Sequence, residues 1–82
     1  MYSYKTHGTC SRQINFDVVD GKLSNVSFVG GCNGNLQGIG ALVEGMPVDE
    51  AIARLSGISC NGRPTSCPDQ LAKALLQYKS QN

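Results

Sequence analysis

Residues 12–29 of this 82-residue chain, RQINFDVVDGKLSNVSFV, decide its fold. Apolar and polar residues alternate along the first half of the stretch, which is typical of a strand with one buried face. Asp20-Gly21 follows directly, and Asp-Gly is a strong signal for a two-residue hairpin turn. The sequence therefore predicts an antiparallel hairpin with strands over residues 12–19 and 22–29. Its predicted inward-facing side chains are apolar: Ile14, Phe16, Val18, Val26 and Phe28.

The segments outside the hairpin predict one more strand and three helices. Residues 2–7 suit a short edge strand. Apolar residues then recur at helical spacing in three segments, and the last of these predicts a helix over residues 67–79. The predicted inward-facing residues of the helices are Leu36, Ile39, Leu42 and Val43; Val48, Ala51, Ile52 and Leu55; and Leu71, Ala74, Leu75 and Tyr78. Because the strands precede the helices, we predict an α+β fold, a small antiparallel sheet of about three strands with helices packed on one face.

Glycine and proline mark the helix ends and one unusual helix interior. Gly38 and Gly40 lie inside the first predicted helix, where glycine is unfavourable and needs a reason such as close approach to the sheet. Pro47 suits the first turn of the second helix, and Gly57 is expected to end that helix.

Length and composition restrict the class of protein. The chain predicts one domain over residues 1–82, with a thin core of the kind that a metal, a disulfide or a partner subunit often supports. A net charge of +1 argues against a basic nucleic-acid-binding protein. The sequence begins without an apolar leader and has no run of about 18 apolar residues, so we expect a cytoplasmic protein without a membrane partner. The thin core and the glycine-bearing helix are compatible with a homodimer.

The strongest functional signal is a set of four cysteines: Cys10, Cys32, Cys60 and Cys67. In a reducing compartment such residues are more often metal ligands or redox thiols than structural disulfides. Each falls at or beside the end of a predicted element, whereas cysteines packed in a core usually occupy apolar stripes. The spacing contains no Cys-x-x-Cys pair, so it does not by itself indicate a zinc ribbon or a thioredoxin-like site. Three interpretations stay open: a shared metal or cluster site, a redox pair, and small thiols packed at layer junctions.

Two of the cysteines lie at predicted helix N-termini. Cys32 precedes the first helix and Cys67 opens the last one. The helix dipole and the free N–H groups there stabilise a thiolate, which is the form that binds metal. Pro68 fixes the helical backbone in the first turn, and Ser66 with Asp69 resembles a capping box, which favours a capping role for Asp69 over a ligand role.

Two further segments bear on the same cysteines. The turn-rich residues 61–64 can fold the chain back and bring Cys60 near Cys67. His7 lies three residues before Cys10 and is a candidate replacement ligand. A solvated histidine near a strand end is the simpler interpretation of His7.

Residues 31–39, GCNGNLQGI, and residues 65–72, TSCPDQLA, resemble the TSCPD domain family. The resemblance covers nearly the whole chain, and the four cysteines match the marked positions of the family. It implies a cysteine-rich metal-binding module. Related domains occur at the C-terminus of vitamin B12-dependent ribonucleotide reductases, which implies a link to deoxyribonucleotide synthesis.

The layout is more distantly similar to the U-type iron–sulfur cluster scaffolds. The shared features are an Asp-Gly hairpin, an Asp-Glu-Ala helix start and cysteines beside three element starts: Cys10, Asp20-Gly21, Gly31-Cys32, Asp49-Glu50-Ala51 and Cys67. The chain departs from that pattern at Arg12, where the scaffold has an acidic residue, and at Ser66, where it has histidine. The additional Cys60 would complete a four-thiolate site, which favours a held zinc ion or cluster over cluster donation.

Two functional hypotheses follow from these observations. In the first, four thiolates bind zinc or an iron–sulfur cluster: Cys10, Cys32, Cys60 and Cys67. In the second, Cys60 and Cys67 form a dithiol that passes electrons to a ribonucleotide reductase partner. The chain is too short to hold both a nucleotide site and a radical-generating cofactor, so we do not expect it to be an enzyme by itself.

Overall fold

A three-stranded antiparallel sheet and three α-helices make up the described part of the chain. The computed structural model describes residues 2–9, 11–31, 33–58 and 65–81. The strands are β1 (Tyr2–Lys5), β2 (Ser11–Val19) and β3 (Lys22–Gly30), in the spatial order β1-β2-β3. The helices are α1 (Asn33–Val43), α2 (Val48–Leu55) and α3 (Cys67–Gln81). The predicted α+β class is confirmed, and α3 extends to residue 81 rather than 79.

The β2–β3 hairpin turns at Asp20-Gly21, as predicted. Both residues have positive φ, 54° and 76°, as the two central positions of a type I′ turn require. Val19 and Lys22 face each other directly across the turn. A further positive φ of 55° occurs at Asn25, where the register between the two strands shifts. The tight turn and this irregularity together fix which side chains of β3 face the core.

The hydrophobic core lies where the sheet meets the helices. Its buried members are Ile14, Phe16, Leu23, Val43, Val48, Ala51, Leu71, Ala74 and Leu75. The predicted inward-facing residues Val18, Val26 and Phe28 are partly buried against this cluster. Leu23 was not among the predicted core residues, and it is buried because it pairs with Val18 on the same face of the sheet.

Leu42 corrects the predicted inward face of α1. Its side chain is 78% exposed, whereas Leu36 and Val43 are buried and Ile39 packs against the core. These three residues follow the i, i+3, i+7 positions of one helix face. Leu42 lies roughly 100° around the helix from Val43, so it cannot share that face.

The connection between α1 and α2 is bonded to the hairpin. Leu23 N–H donates to the carbonyl of Met46 at 2.9 Å, and Gly45 N–H donates to the carbonyl of Leu23 at 2.8 Å. Val48 N–H donates to the carbonyl of Gly21 at 3.0 Å. Pro47, in the same connection, is the N-cap residue of α2 and has an extended backbone, whereas the sequence predicted it in the first turn of the helix.

Helix α3 packs on the sheet through its apolar face, which positions its N-terminal end. Leu71 and Leu75 are fully buried. The Tyr78 ring lies edge-on to Phe16 of β2, with centroids 6.3 Å apart. No helix among the described residues has the length and apolar character needed to cross a membrane.

The two glycines inside α1 have different environments. A Cβ atom on Gly40 would lie 2.8 Å from the carbonyl oxygen of Val26, which is a backbone atom of β3. A Cβ atom on Gly38 would meet nothing within 4 Å. The predicted close approach of α1 to the sheet therefore explains Gly40 and does not explain Gly38.

This difference gives a matched pair of variants for measuring the α1–β3 contact. We expect Gly40→Ala to lower the free energy of unfolding by about 1–3 kcal/mol, because the backbone of β3 must shift. Gly38→Ala should raise it by up to about 1 kcal/mol, because alanine is the better helix former. Urea denaturation measures both changes, and equal effects of the two variants would contradict the close approach.

Candidate functional site

Three element ends meet at one edge of the fold. Ser11 begins β2 and pairs across the sheet with Gly30, the last residue of β3. The Ser11 hydroxyl oxygen lies 3.1 Å from the Sγ atom of Cys67, the first residue of α3. The start of β2 therefore contacts both the end of β3 and the start of α3.

Cys67 is the predicted ligand that the structure describes. It is a half-buried free cysteine at the helix N-terminus, as the sequence predicted. The other three predicted ligands, Cys10, Cys32 and Cys60, lie outside the described residues. Within the described ranges, no three His, Cys, Asp or Glu side chains gather so that they could hold a metal ion. The four-thiolate centre therefore stays a prediction.

Ser66 caps α3 and also contacts the end of the preceding segment. Its hydroxyl oxygen accepts a hydrogen bond from the Asp69 N–H at 3.2 Å, which is the usual bond from the third residue of a helix to its N-cap. The same hydroxyl donates to the carbonyl oxygen of Ile58 at 2.6 Å. Ser66 thus fixes the first turn of α3 and ties it to the chain that leaves α2.

The Asp69 carboxylate bonds to the residues just after α2 and just before α3. One oxygen accepts a hydrogen bond from the Gly57 N–H at 2.7 Å, and the other accepts from the Thr65 hydroxyl at 2.5 Å. Lys73 lies 3.4 Å away, one turn along the helix. Gly57 and Thr65 flank residues 58–64, so the buried carboxylate links both ends of the segment that contains Cys60. The carboxylate therefore holds the two residues that flank this segment, rather than only capping the helix as predicted.

Gln70 is a buried polar residue that was not among the predicted site residues. Its side-chain oxygen accepts a hydrogen bond from the His7 N–H at 3.0 Å, and its amide nitrogen donates to the Thr65 hydroxyl oxygen at 3.0 Å. Residues 69–72 are all buried, although four consecutive helical positions cannot share one face. The sequence signal that could have identified Gln70 is the polar pair Asp69-Gln70 directly before the apolar residues of α3.

Residues 6–9, which precede β2, pack against the start of α3. Thr6 and Thr9 both direct their hydroxyls to the carbonyl oxygen of Ser11, and Thr9 Oγ1 is also 3.2 Å from Ser11 Oγ. Gly8 has a φ of 75°, and a Cβ atom there would lie 3.2 Å from the Thr65 methyl group. The His7 side chain is exposed, in agreement with the solvated interpretation of that residue.

Buried polar groups at this edge are fully paired. The buried polar residues of the described chain are Thr6, Ser11, Thr65, Ser66, Asp69 and Gln70. None of the buried side-chain nitrogen or oxygen atoms in the described ranges lacks a hydrogen-bond partner. A satisfied network of this kind restricts the local conformation, because breaking any bond leaves a polar group buried without compensation.

A groove of about 720 Å³ lies between β3 and α1 and reaches Gly30 and Gly31, which precede Cys32. Its remaining lining residues are Val26, Ser27, Phe28, Leu36, Gln37, Gly40, Ala41 and Glu44. Among these described lining residues the charged side chain is that of Glu44. A carboxylate without an accompanying cation does not favour a phosphate-bearing ligand, because phosphate sites normally supply positive charge or N–H donors.

A family model described as "TSCPD domain" matches residues 2–79. The match includes both segments, 31–39 and 65–72, that carry the resemblance in the sequence. No curated protein matches the chain, and no solved structure matches it.

The Asp69 network predicts a specific pH dependence of stability. The hydrogen bond from the Thr65 hydroxyl, joined by the Gly57 N–H and by Lys73, holds the pKa of Asp69 below its ordinary value of 3.8, although burial opposes this shift. A carboxyl group with a lowered folded-state pKa stabilises the fold above its unfolded-state pKa, and this contribution is lost as the pH falls through the folded-state pKa.

We therefore expect Asp69→Asn to lower the free energy of unfolding at neutral pH by about 1–3 kcal/mol, through weakened hydrogen bonds to the buried group. The difference between wild type and variant should shrink as the pH falls below about 4. Asp49→Asn is the control, because Asp49 forms an exposed ion pair with Lys79 and should change stability little. A wild-type-to-variant difference that is constant from neutral to acidic pH would contradict the assigned role of the carboxylate.

Proposed function

The chain belongs to the TSCPD domain family, and from this premise we propose that it is a small metal-binding module. Four thiolates would hold zinc or an iron–sulfur cluster: Cys10, Cys32, Cys60 and Cys67. The observation that carries the proposal is the 3.1 Å contact between Ser11 and Cys67. It joins the neighbour of the first cysteine to the last cysteine, across 56 residues of sequence.

The described neighbours of the other cysteines support convergence at the same edge. Gly30 pairs with Ser11, and Cys32 follows Gly30 by two residues. Ile58 contacts Ser66, and Cys60 follows Ile58 by two residues. Since consecutive Cα atoms are about 3.8 Å apart, two residues cover at most roughly 7 Å. The chain connectivity therefore supports four thiols close to a single centre.

The chemistry of the donor set fits a soft or borderline metal. Thiolates bind zinc and iron–sulfur clusters in preference to hard cations. The Ser11 hydroxyl can donate a hydrogen bond to the Cys67 sulfur, which is the kind of neighbouring contact that orients a metal ligand. Bound zinc would cross-link the four segments, whereas a bound cluster would add one-electron redox chemistry.

The family premise extends the proposal to a partner. We propose that the module serves a ribonucleotide reductase in the cytoplasm, as the related C-terminal domains of such reductases imply. Among the described residues that line the groove, the charged side chain is that of Glu44, which does not favour a bound phosphate and so supports a binding module over an independent nucleotide-binding enzyme.

The proposed centre is tested by metal and labile sulfide analysis of untagged protein purified without oxygen. We expect about one zinc ion, or iron with stoichiometric sulfide, per chain. Each of the four Cys→Ser variants should lose metal and unfold at a lower temperature, because binding free energy contributes to folding. Chelation of the wild type should have the same effect.

Ser80→Ala, near the exposed C-terminal end of α3, is the control and should keep the wild-type metal content. Wild-type protein without metal, or four cysteine variants with wild-type metal content and stability, would rule out the metal centre.

A dithiol function is the second candidate, and one contact favours it. The Ser66–Ile58 hydrogen bond of 2.6 Å brings the segment that contains Cys60 to the residue before Cys67. In this function the Cys60–Cys67 dithiol is oxidised to a disulfide, and two electrons and two protons reduce a disulfide of the reductase to two thiols. Equilibration in glutathione buffers should then yield a reversible Cys60–Cys67 disulfide, identified by peptide mass. Absence of that disulfide under oxidising buffers would remove this candidate.

A further inference from the structure

We propose that Gln70 is a positioning residue that holds the loop before Cys10 against the start of α3. It would thereby set the separation between the Cys10 and Cys67 thiols, although it supplies no ligand atom itself. This inference rests on the proposed thiolate site and adds to it a residue that organises the site before any metal binds.

Both ends of the Gln70 amide are engaged. The side chain is 3% exposed, its oxygen accepts from the His7 N–H, and its nitrogen donates to the Thr65 hydroxyl. His7 and Gln70 are 63 residues apart in sequence. The amide therefore joins a segment near the beginning of the chain to the helix that carries Cys67.

The residues next to His7 are bonded to the start of β2. The Thr6 N–H donates to the Arg12 carbonyl at 3.1 Å, and the Thr6 hydroxyl donates to the Ser11 carbonyl. Thr6 is thereby bonded to both Ser11 and Arg12, so an attachment at the adjacent His7 also restrains Ser11. Ser11 in turn contacts Cys67.

The Gln70 hydrogen bonds do not involve a thiol, whereas the Ser11–Cys67 contact does. The Ser11 contact involves the thiol itself, so metal binding at Cys67 would change it. The Gln70 amide bonds to a backbone N–H and to a threonine hydroxyl, and neither of these is a candidate ligand. Gln70 can therefore preorganise the two thiol segments without metal, which lowers the entropic cost of assembling a site.

The test measures thiol proximity in metal-free, full-length protein. In a parent chain with Cys32→Ser and Cys60→Ser, Cys10 and Cys67 are the remaining thiols. A short dibromo reagent that becomes fluorescent on joining two thiols reports the rate at which they cross-link. Gln70→Met keeps the size of the side chain and removes both hydrogen bonds, whereas Gln77→Met makes the same change at an exposed position of α3.

We expect Gln70→Met to slow cross-linking by about tenfold, because the two hydrogen bonds that restrain the residues before Cys10 are lost; removing a residue that orients a metal ligand changes metal affinity by a similar factor. Gln77→Met should react at the parental rate. All chains should react at one common rate in denaturant, where the positioning is lost. A folded Gln70→Met chain that cross-links at the parental rate overturns the proposal.

Gln70→Asn keeps the test decisive if Gln70→Met does not fold. Asparagine retains the amide but is one methylene too short to reach both partners, so a folded Gln70→Asn chain should also cross-link more slowly. A parental rate in that variant overturns the proposal.

Metal analysis of the wild type separates this inference from the proposed function. Wild type without metal, together with slow cross-linking of Gln70→Met, would leave the positioning role standing and remove the metal function. Wild type with metal, together with a parental cross-linking rate in Gln70→Met, would do the reverse. A folded parent chain that does not cross-link overturns the convergence of Cys10 and Cys67 on which both proposals depend.

Discussion

The buried Asp69 carboxylate is the constraint on which the edge of this fold around Cys67 depends. A charged group in a nearly dry environment is costly unless its oxygens are fully hydrogen-bonded. The Gly57 N–H and the Thr65 hydroxyl meet that requirement, and they lie on either side of the segment that contains Cys60. The carboxylate therefore ties the residues after α2 to the residue before α3. Ser66 strengthens the same link through Ile58, and Gln70 extends the principle to the residues before β2.

The rest of the molecule supplies a platform for this edge. The core is small, as expected for a chain of 82 residues, and it consists of a hairpin, one face of α3 and parts of the other two helices. Close backbone approach at Gly40 brings α1 onto β3, and the bonds of Leu23 to Gly45 and Met46 fix the turn between α1 and α2. Apolar packing thus sets the orientation of α3, and polar contacts at its first turn set the neighbouring segments.

Because apolar packing orients α3 while polar contacts hold its neighbours, a thiolate centre is a reasonable function for so small a domain. A metal site needs ligands from distant parts of the chain that are oriented before the metal arrives, and orientation comes mainly from the residues around the ligands. Here a hydroxyl, a carboxylate and an amide around Cys67 join α3 to two separate segments, the residues before and at the start of β2 and those after α2. A redox dithiol would use the same arrangement. The two proposed functions therefore differ in whether the thiols bind a metal or exchange electrons, and not in the scaffold.

The sequence by itself determined the elements of this fold. A period of two, an Asp-Gly turn and apolar residues at helical spacing are local signals, and they correctly predicted the hairpin, the helices and most of the core. The sequence also placed Cys67 at a helix start and indicated a structural role for Asp69.

Local signals did not exclude Leu42 from the core face of α1, because that depends on which side of the helix meets the sheet. They also did not reveal Gln70, whose partners depend on the packing of α3 against a loop 63 residues away. Only tertiary structure decides such contacts, because a side-chain hydrogen bond has no periodicity along the chain and exists only when folding brings its two partners together.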